Sequence, residues 1–180
     1  DQPFGIDFDK AGNAYLVELT GGRVLRVDPK GTLTVLAGTG AKGDGGDGGP
    51  PLKATFNGMH SLAVAPDGTA YLADTWNNRV RKIDLKTGII TNVAGTGEKG
   101  FSGDGGSALA AQCGGIYCIA LDKSGKQLYL ADLDNRRIRK VDLTTGVITT
   151  VAGNGQKGVP QDGAYAATAP LVDPRAVAVD

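Results

Sequence analysis

Acidic residues set within runs of glycine are the first feature of this sequence that could do chemistry. The stretch GDGGDGG occupies residues 43–49, and later stretches of the same kind keep one acid each, Asp104 and Asp162. Calcium prefers carboxylate and carbonyl oxygens, so Asp44 and Asp47 are candidate calcium ligands. Calcium-binding β-helix repeats recur about every nine residues, whereas this stretch occurs once in each much longer repeat of the chain. The spacing therefore favours a structural turn over a metal site.

A glycine motif of the form G-x-G-x-x-G occurs three times, at residues 38–43, 95–100 and 153–158. In dinucleotide-binding proteins the third glycine opens a helix inside a parallel βαβ unit, and the pyrophosphate lies on the N-terminus of that helix. No helical pattern followed by a parallel strand comes after any of the three copies. The motif therefore predicts a repeated turn, and the sequence predicts no cofactor.

The single histidine, His60, stands beside Ser61 and invites a nucleophilic mechanism. Such a mechanism also needs an acid that orients the histidine and donors that stabilise an oxyanion. We predict instead a neutral, hydrogen-bonded His60 and assign no catalytic residue. Whether the protein is an enzyme stays open at this point, and the sequence leans against it. Cys113 and Cys118 are too few for a disulfide framework or a structural zinc site, so two buried thiols and one local disulfide both remain open.

Three internal repeats must position these residues. The same closing phrase recurs at residues 36–40, 93–97 and 151–155, and each repeat opens with a short apolar run. The second repeat contains four short runs with strand character, bounded by turn residues, at residues 60–65, 70–74, 79–84 and 89–94. Four antiparallel strands with the most buried strand first are typical of a propeller blade.

The predicted fold is all-β, a β-propeller segment with three four-stranded antiparallel blades and one extra inner strand. We assign one partial propeller domain to residues 1–180, with blades at about 2–40, 59–97 and 116–155, the extra strand at 175–179, and inter-blade loops at 41–58, 98–115 and 156–174. The third strands alternate charged with apolar residues. This alternation predicts solvated outer faces that carry Lys82, Arg139 and Lys140.

The ends of the second strands carry a family resemblance. Residues 73–80 (ADTWNNRV) and 131–138 (ADLDNRRI) resemble the signature of the NHL repeat, with Asn78 and Arg136 where the family usually has histidine. Blade 1 keeps only Arg23 and Val24 of this motif, and residues 100–106 resemble bacterial NHL proteins. The resemblance implies a six-bladed propeller, of which this chain is about half, and it favours an extracytoplasmic location.

Three blades are too few to close a ring, because propellers typically have 4–8 blades. Unpaired blade edges and faces promote association. We therefore expect self-association that completes a propeller ring, as a homodimer, or completion by the remainder of a longer chain. The 19 basic and 19 acidic residues cancel, which argues against a nucleic acid partner. No apolar run is long enough for membrane insertion.

The loops between second and third strands share one face with the inter-blade loops in this layout, and loops on a rigid scaffold commonly carry binding. The candidate ligand-face residues are Trp76, Asn77, Asn78, Asp134, Asn135, Arg136, His60, Phe101, Asp104 and Asp162. Trp76 is either an exposed anchor or a packing partner of Phe101 or Phe56. The repeated acids Asp74, Asp132 and Glu18 are expected to hold their turns by bonds to backbone N–H groups or arginine.

The favoured function is a non-enzymatic binding module that presents this loop-built face to a protein, peptide or glycan. One alternative is a hydrolase or lyase at the channel mouth, with Asp104 and Asp162 as the candidate acids. The other, implied by the resemblance to NHL proteins, is RNA binding, against which the neutral charge weighs.

Overall fold

The computed structural model describes residues 2–180, so Asp1 of the predicted domain lies outside the described residues. Twelve strands form three four-stranded antiparallel sheets, each in sequential order. The strands of the first sheet are β1 (Pro3–Phe8), β2 (Ala14–Glu18), β3 (Val24–Val27) and β4 (Leu33–Ala37); those of the second are β5 (Met59–Val64), β6 (Ala70–Asp74), β7 (Arg79–Asp84) and β8 (Ile89–Ala94); those of the third are β9 (Ile116–Leu121), β10 (Gln127–Asp132), β11 (Arg137–Asp142) and β12 (Ile148–Ala152). The predicted all-β blade architecture is confirmed.

Helical structure in residues 2–180 is limited to four single 3₁₀ turns, at Pro51–Lys53, Thr75–Asn77, Ala108–Ala110 and Ala166–Thr168. Three of them lie in the loops that follow β4, β8 and β12, and the fourth links β6 to β7. None of the helices in these residues is long and apolar enough to cross a bilayer.

The predicted extra strand at 175–179 is the one element that the structure does not form. These residues have no regular secondary structure and pair with no strand. They lie beside β9, where the Cys118 thiol is 3.5 Å from the carbonyl oxygen of Val177. An innermost strand receives its hydrogen bonds from the second strand of its own blade, and residues 2–180 contain no second strand for this one.

The inner strands lie side by side, with β1 beside β5 and β5 beside β9. Together with residues 177–179 they line an open groove of about 480 Å³, which is half of a propeller channel. The hydrophobic core consists of two layers between successive sheets. Tyr15 and Val24 of blade 1 pack on Leu72 of blade 2 in the first layer, and Tyr71 of blade 2 packs near Leu128 and Val141 of blade 3 in the second.

The other face of blade 1 has no blade against it. Strand registers place Ile6, Leu16, Leu25 and Val35 in one row across this face. Phe8, Val27 and Leu33 belong to the next row, and several of these side chains are exposed. A whole apolar sheet face is therefore open to solvent in the described chain.

Candidate functional site

The corner between β6 and β7 is built around the buried carboxylate of Asp74. It accepts the backbone N–H of Asn57 at 2.9 Å and the side-chain amide of Asn77 at 2.9 and 3.0 Å. The same Asn77 amide donates to the Gly43 carbonyl at 2.8 Å, and Arg79 Nε lies 3.2 Å from the carboxylate. Burial raises the pKa of Asp74, while these donors oppose that rise. Asn77 therefore ties the corner to the preceding loop rather than facing a ligand.

Blade 3 repeats this corner. Asp132 accepts Gly114 N–H at 2.8 Å, and the Asn135 amide bridges Asp132 at 2.9 and 3.0 Å to the Gly100 carbonyl at 2.7 Å. The corner of blade 1 differs, because Glu18 replaces the aspartate and lies 3.5 Å from Arg23. In blades 2 and 3 the acids therefore hold their turns as expected.

An arginine fills the acidic glycine loop. Arg81 is 0% exposed; its Nε donates to Asp47 at 3.0 Å, and its terminal nitrogens donate to the carbonyls of Thr55 (2.9 Å) and Gly45 (3.0 Å). Asp47 also pairs with Arg79 at 3.2 Å. Asp47, one of the two candidate calcium ligands, is thus paired with arginine side chains. No group of three or more His, Cys, Asp or Glu residues within 2–180 is arranged to hold a metal.

Blade 3 contains the matching arginine, Arg139. It is also 0% exposed; it pairs with Asp104 at 2.7 Å and donates to the carbonyls of Gln112 (2.8 Å) and Ser102 (2.7 Å). The prediction that Arg139 lies on a solvated face is therefore wrong. The alternating pattern cannot show that the preceding loop folds over this strand and covers the arginine with oxygen acceptors. Asp104 also accepts the hydroxyl of Thr150 at 2.5 Å.

Side chains from three blades meet at one end of the channel. Each inner strand has a β-bulge that leaves one residue unpaired with the second strand, and these residues are Phe4, His60 and Tyr117. The rings of Phe4 and His60 are 4.7 Å apart, and those of His60 and Tyr117 are 4.3 Å apart. Arg175, at the equivalent position after blade 3, lies 5.4 Å from the Tyr117 ring. Bulges often re-aim side chains at functional sites. We call these four residues the aromatic mouth.

His60 is held in its neutral form. Burial lowers its pKa below the ordinary value of 6.5, the bond to Gly58 opposes this, and Arg175 lowers the pKa further. Its Nδ1 is 2.7 Å from the Gly58 carbonyl oxygen. The neighbouring Ser61 hydroxyl contacts the Ile119 carbonyl and the Cys118 sulfur. His60 thus has a backbone partner where a catalytic triad would need an acid.

Trp76 stands beside the aromatic mouth and is 47% exposed. Its indole lies flat against Gly58, where a Cβ would overlap the ring, and its centroid is 5.7 Å from that of His60. Two small clefts of about 200 and 210 Å³ lie on either side of it. Phe56 lines one of them, while Phe101 instead stacks on Arg137 at 3.6 Å. Trp76 is thus held by its contact with Gly58, while part of the side chain stays exposed to solvent.

Comparison with known proteins identifies the family to which this chain belongs. No protein-family model matches the chain. Human NHL repeat-containing protein 2 is 31% identical over 135 residues, covering 70% of this chain and 18% of that protein. The chloroplastic protein SUPPRESSOR OF QUENCHING 1 of Arabidopsis thaliana is 35% identical over 103 residues, covering 56% of this chain and 10% of that protein. The chain belongs to the NHL-repeat β-propeller family. It spans less than a fifth of the length of these relatives.

Solved structures agree on the fold. A protein of unknown function from Bacteroides thetaiotaomicron superposes with a TM-score of 0.76 at 18% identity, over 98% of this chain and 42% of that one. An auxiliary nutrient binding protein from the same organism gives 0.71 at 20% identity with the same coverage. A streptogramin B lyase gives 0.54 at 17% identity, over 91% of this chain and 42% of that one. At such identities these likenesses show the propeller fold alone.

The remaining predicted site residues of this NHL chain are spread over the loop face. Asn78 and Arg136 adopt left-handed backbone conformations, with φ of 51° and 48°. Asp134 is paired with Lys99 at 2.8 Å, and Asp162 is exposed. Of the predicted set, His60 belongs to the aromatic mouth and Trp76 stands beside it.

Both cysteines are free thiols in the structure. Burial, followed by the charge of Asp132, raises the pKa of Cys113 to about 12. Its sulfur lies 3.5 Å from the Arg139 guanidinium. Of the two open alternatives, the structure shows two thiols, and Cys113 packs as a core residue.

Sequence reasoning missed Phe4, Tyr117 and Arg175. A signal was present, because each of them occupies the same position as His60, directly before the aligned inner-strand runs. Aligning the repeats one residue further towards the N-terminus would have collected the whole set.

Proposed function

We propose that this NHL propeller segment is a non-enzymatic binding module that holds a glycan at the aromatic mouth and Trp76. The observation that carries the proposal is the set of bulged inner-strand residues, which brings the rings of Phe4 from blade 1 and Tyr117 from blade 3 into contact with His60 of blade 2. Aromatic faces offer large apolar contact area with little conformational freedom to lose. The uncharged His60 and the exposed Trp76 suit the C–H faces of sugar rings.

The site lies where the fold presents loops, and concave surfaces with a few polar groups are the usual places for ligands. A similar propeller fold occurs in a protein described as an auxiliary nutrient binding protein, which supports a binding role for this architecture. The acids put forward for a hydrolase or lyase are placed differently. Asp104 is engaged by Arg139 and Thr150, and the hydrogen-bond partner of His60 Nδ1 is the Gly58 carbonyl rather than an acid. RNA binding has no support from the neutral charge.

Trp76 is the single tryptophan of the sequence, so its fluorescence reports directly on this site. The experiment screens the chain against immobilised neutral oligosaccharides and titrates those retained in solution while recording tryptophan emission. We expect saturable changes in emission. Trp76→Ala, measured by calorimetry, should weaken binding at least tenfold, since central aromatic anchors carry most binding energy.

Tyr165→Ala is the matched control, because Tyr165 is an exposed aromatic residue in the loop after blade 3. It should leave the affinity unchanged. Retained oligosaccharides that leave the emission of Trp76 unaltered, or that bind Trp76→Ala normally, would show that the mouth is not the binding site.

A further inference from the structure

The two closed joints between blades share one set of contacts, made by a loop to the blade that follows it. In the first joint, Asp47 and two loop carbonyls receive Arg81, Gly48 N–H donates to the Ile90 carbonyl at 2.8 Å, and Ile90 N–H donates to Gly49 at 3.1 Å. In the second joint, Asp104 receives Arg139, while Gly105 and Gly106 form the same pair of bonds with Ile148, at 2.7 and 3.0 Å. Each loop thus binds an arginine and the fourth strand of the next blade.

The loop after blade 3 keeps the turn of the filled loops at residues 161–164 but not their whole backbone geometry, because Gln161 lacks the positive φ of the equivalent Gly46 (105°) and Gly103 (88°). Gly163 has φ of 77°, close to the 79° of Gly48 and the 82° of Gly105. Ala164 N–H closes the turn on the Gln161 carbonyl at 3.1 Å, as Gly49 and Gly106 close theirs at 3.2 and 3.0 Å. The 3₁₀ turn at Ala166–Thr168 also accepts a bond from the glycine that follows the preceding strand, as in the other loops. The turn that carries Asp162 is therefore formed without a following blade.

Asp162 stands where the filled loops have Asp47 and Asp104. It is exposed, and none of the side chains in residues 2–180 bonds to its carboxylate. By the alignment of the loops, the carbonyls of Pro160 and Pro170 correspond to those that hold Arg81 and Arg139. We call Asp162 and these two carbonyls the arginine socket.

We propose that the arginine socket receives the guanidinium of a further NHL blade, one that carries arginine as the third residue of its third strand. Continuity with the two existing joints and charge complementarity support this occupant, because a fork of N–H donors fits one carboxylate and two carbonyls. The proposal favours completion of the ring by blades other than those described here over a homodimer.

A second copy of this chain is a mismatched occupant. Its first blade has Leu25 in the place of the arginine, since Leu25 pairs with Leu16 just as Arg81 pairs with Leu72 and Arg139 with Leu130. Closing a two-copy ring would place the Asp162 carboxylate against a leucine, and the equivalent carboxylates of Asp47 and Asp104 are only 33% and 31% exposed. A partly buried charge without a partner is unfavourable.

The variant Leu25→Arg supplies the missing guanidinium, and the test is self-association of the chain followed by sedimentation over a range of concentrations. Leu25 lies on the open face of blade 1, so an arginine there stays solvated in the monomer. We expect Leu25→Arg to associate at least tenfold more tightly than the wild type. Adding Asp162→Asn should cancel the gain, and Leu25→Lys should gain less, because an ammonium lacks the planar fork.

Circular dichroism verifies that each variant is folded, and Leu25→Lys keeps the test valid if the arginine variant is not. A wild-type chain that dimerises as tightly as Leu25→Arg would overturn the proposal, since it would show that leucine fits the joint. Tightening that survives Asp162→Asn would overturn it as well, because the new arginine would then act elsewhere. Neither result depends on whether the aromatic mouth binds a glycan.

Discussion

Blades 2 and 3 are joined to their preceding loops by a buried arginine, whereas blade 1 has Leu25 at the same position. All three blades nevertheless form the same four-stranded ladder. The arginine is therefore not needed to build a blade. Its contacts with Asp47 and Asp104 show that it fastens a glycine-rich loop across the outer part of the blade. The pattern of strand residues is thus sufficient to form a blade, whereas the buried arginine and its acid connect the blade to the preceding loop.

The comparison also separates two ways of filling an interface. Blade 1 presents a row of apolar side chains, which any apolar surface of sufficient area can cover. Blades 2 and 3 each place a cation among oxygen acceptors. A buried ion pair adds little net stability over a well-packed apolar pair, but removing one partner is costly. The joints should therefore tolerate small changes in apolar size much better than loss of a charge.

The largest effect is expected when the buried arginine of blade 3 is replaced by leucine, the residue that blade 1 has at this position. We expect Arg139→Leu to lower the free energy of unfolding by about 3–5 kcal/mol, because the carboxylates of Asp104 and Asp132 lose their buried cation. Urea unfolding at neutral pH measures this. Leu25→Ala, the matched change in blade 1, should cost about 1 kcal/mol, as is usual for a partly exposed position. Equal losses in the two variants would remove the distinction between the joints.

A second experiment compares the corners of blades 2 and 3, which share one backbone but carry Trp76 and Asp134. Gly58 and Gly115 are equivalent and have φ of 65° and 61°, so alanine costs about 1–2 kcal/mol at either site. At Gly58 the new methyl group also collides with the indole, which should add about 1–3 kcal/mol. We expect Gly58→Ala to be the more destabilised in thermal unfolding, with a shifted tryptophan emission.

A Cβ added at Gly115 would lie 3.1 Å from its nearest neighbour, the Asp134 carboxylate oxygen, and that side chain can move. Equal destabilisation of the two alanine variants would mean that Trp76 is not fixed by its contact with Gly58.

The smallest effect is expected for His60→Phe, which gives blade 2 the residue that blade 1 has at the aromatic mouth, Phe4. Because the pKa of His60 is lowered in the folded state, its contribution to stability is present above the unfolded pKa of about 6.5 and is lost as the pH falls through the folded value. Unfolding free energies at pH 7.5 and 5 should differ in the wild type. In His60→Phe this part of the difference should disappear, and a pH dependence that persists would assign it to other groups.

Much of the fold could be predicted from the sequence, because blades repeat and short apolar runs bounded by Gly, Asp and Asn are strong signals. The burial of Arg81 and Arg139 could not. Their strands alternate charged and apolar residues, as a strand with one solvated face does. The two arginines are buried only because a loop some 35 residues away in sequence packs over them.

The candidate site was predicted only in part, for a related reason. Trp76 and His60 stood out by residue type, but Phe4 and Tyr117 look like ordinary strand residues. A β-bulge turns them into the channel mouth, and bulges depend on strand register, which the local sequence does not state. The paired role of Asn77 and Asn135 was hidden in the same way, because their partners are backbone carbonyls of distant loops.

The arginine joints also set the natural boundaries for recombining such proteins. Every arginine reaches back to the loop ahead of its own blade, so the exchangeable cassette is a loop together with the blade after it, as in residues 41–97 and 98–155. A chimera cut at the first strand of a blade would part each arginine from its acid. One cut before the loop would carry the pair intact into a new protein.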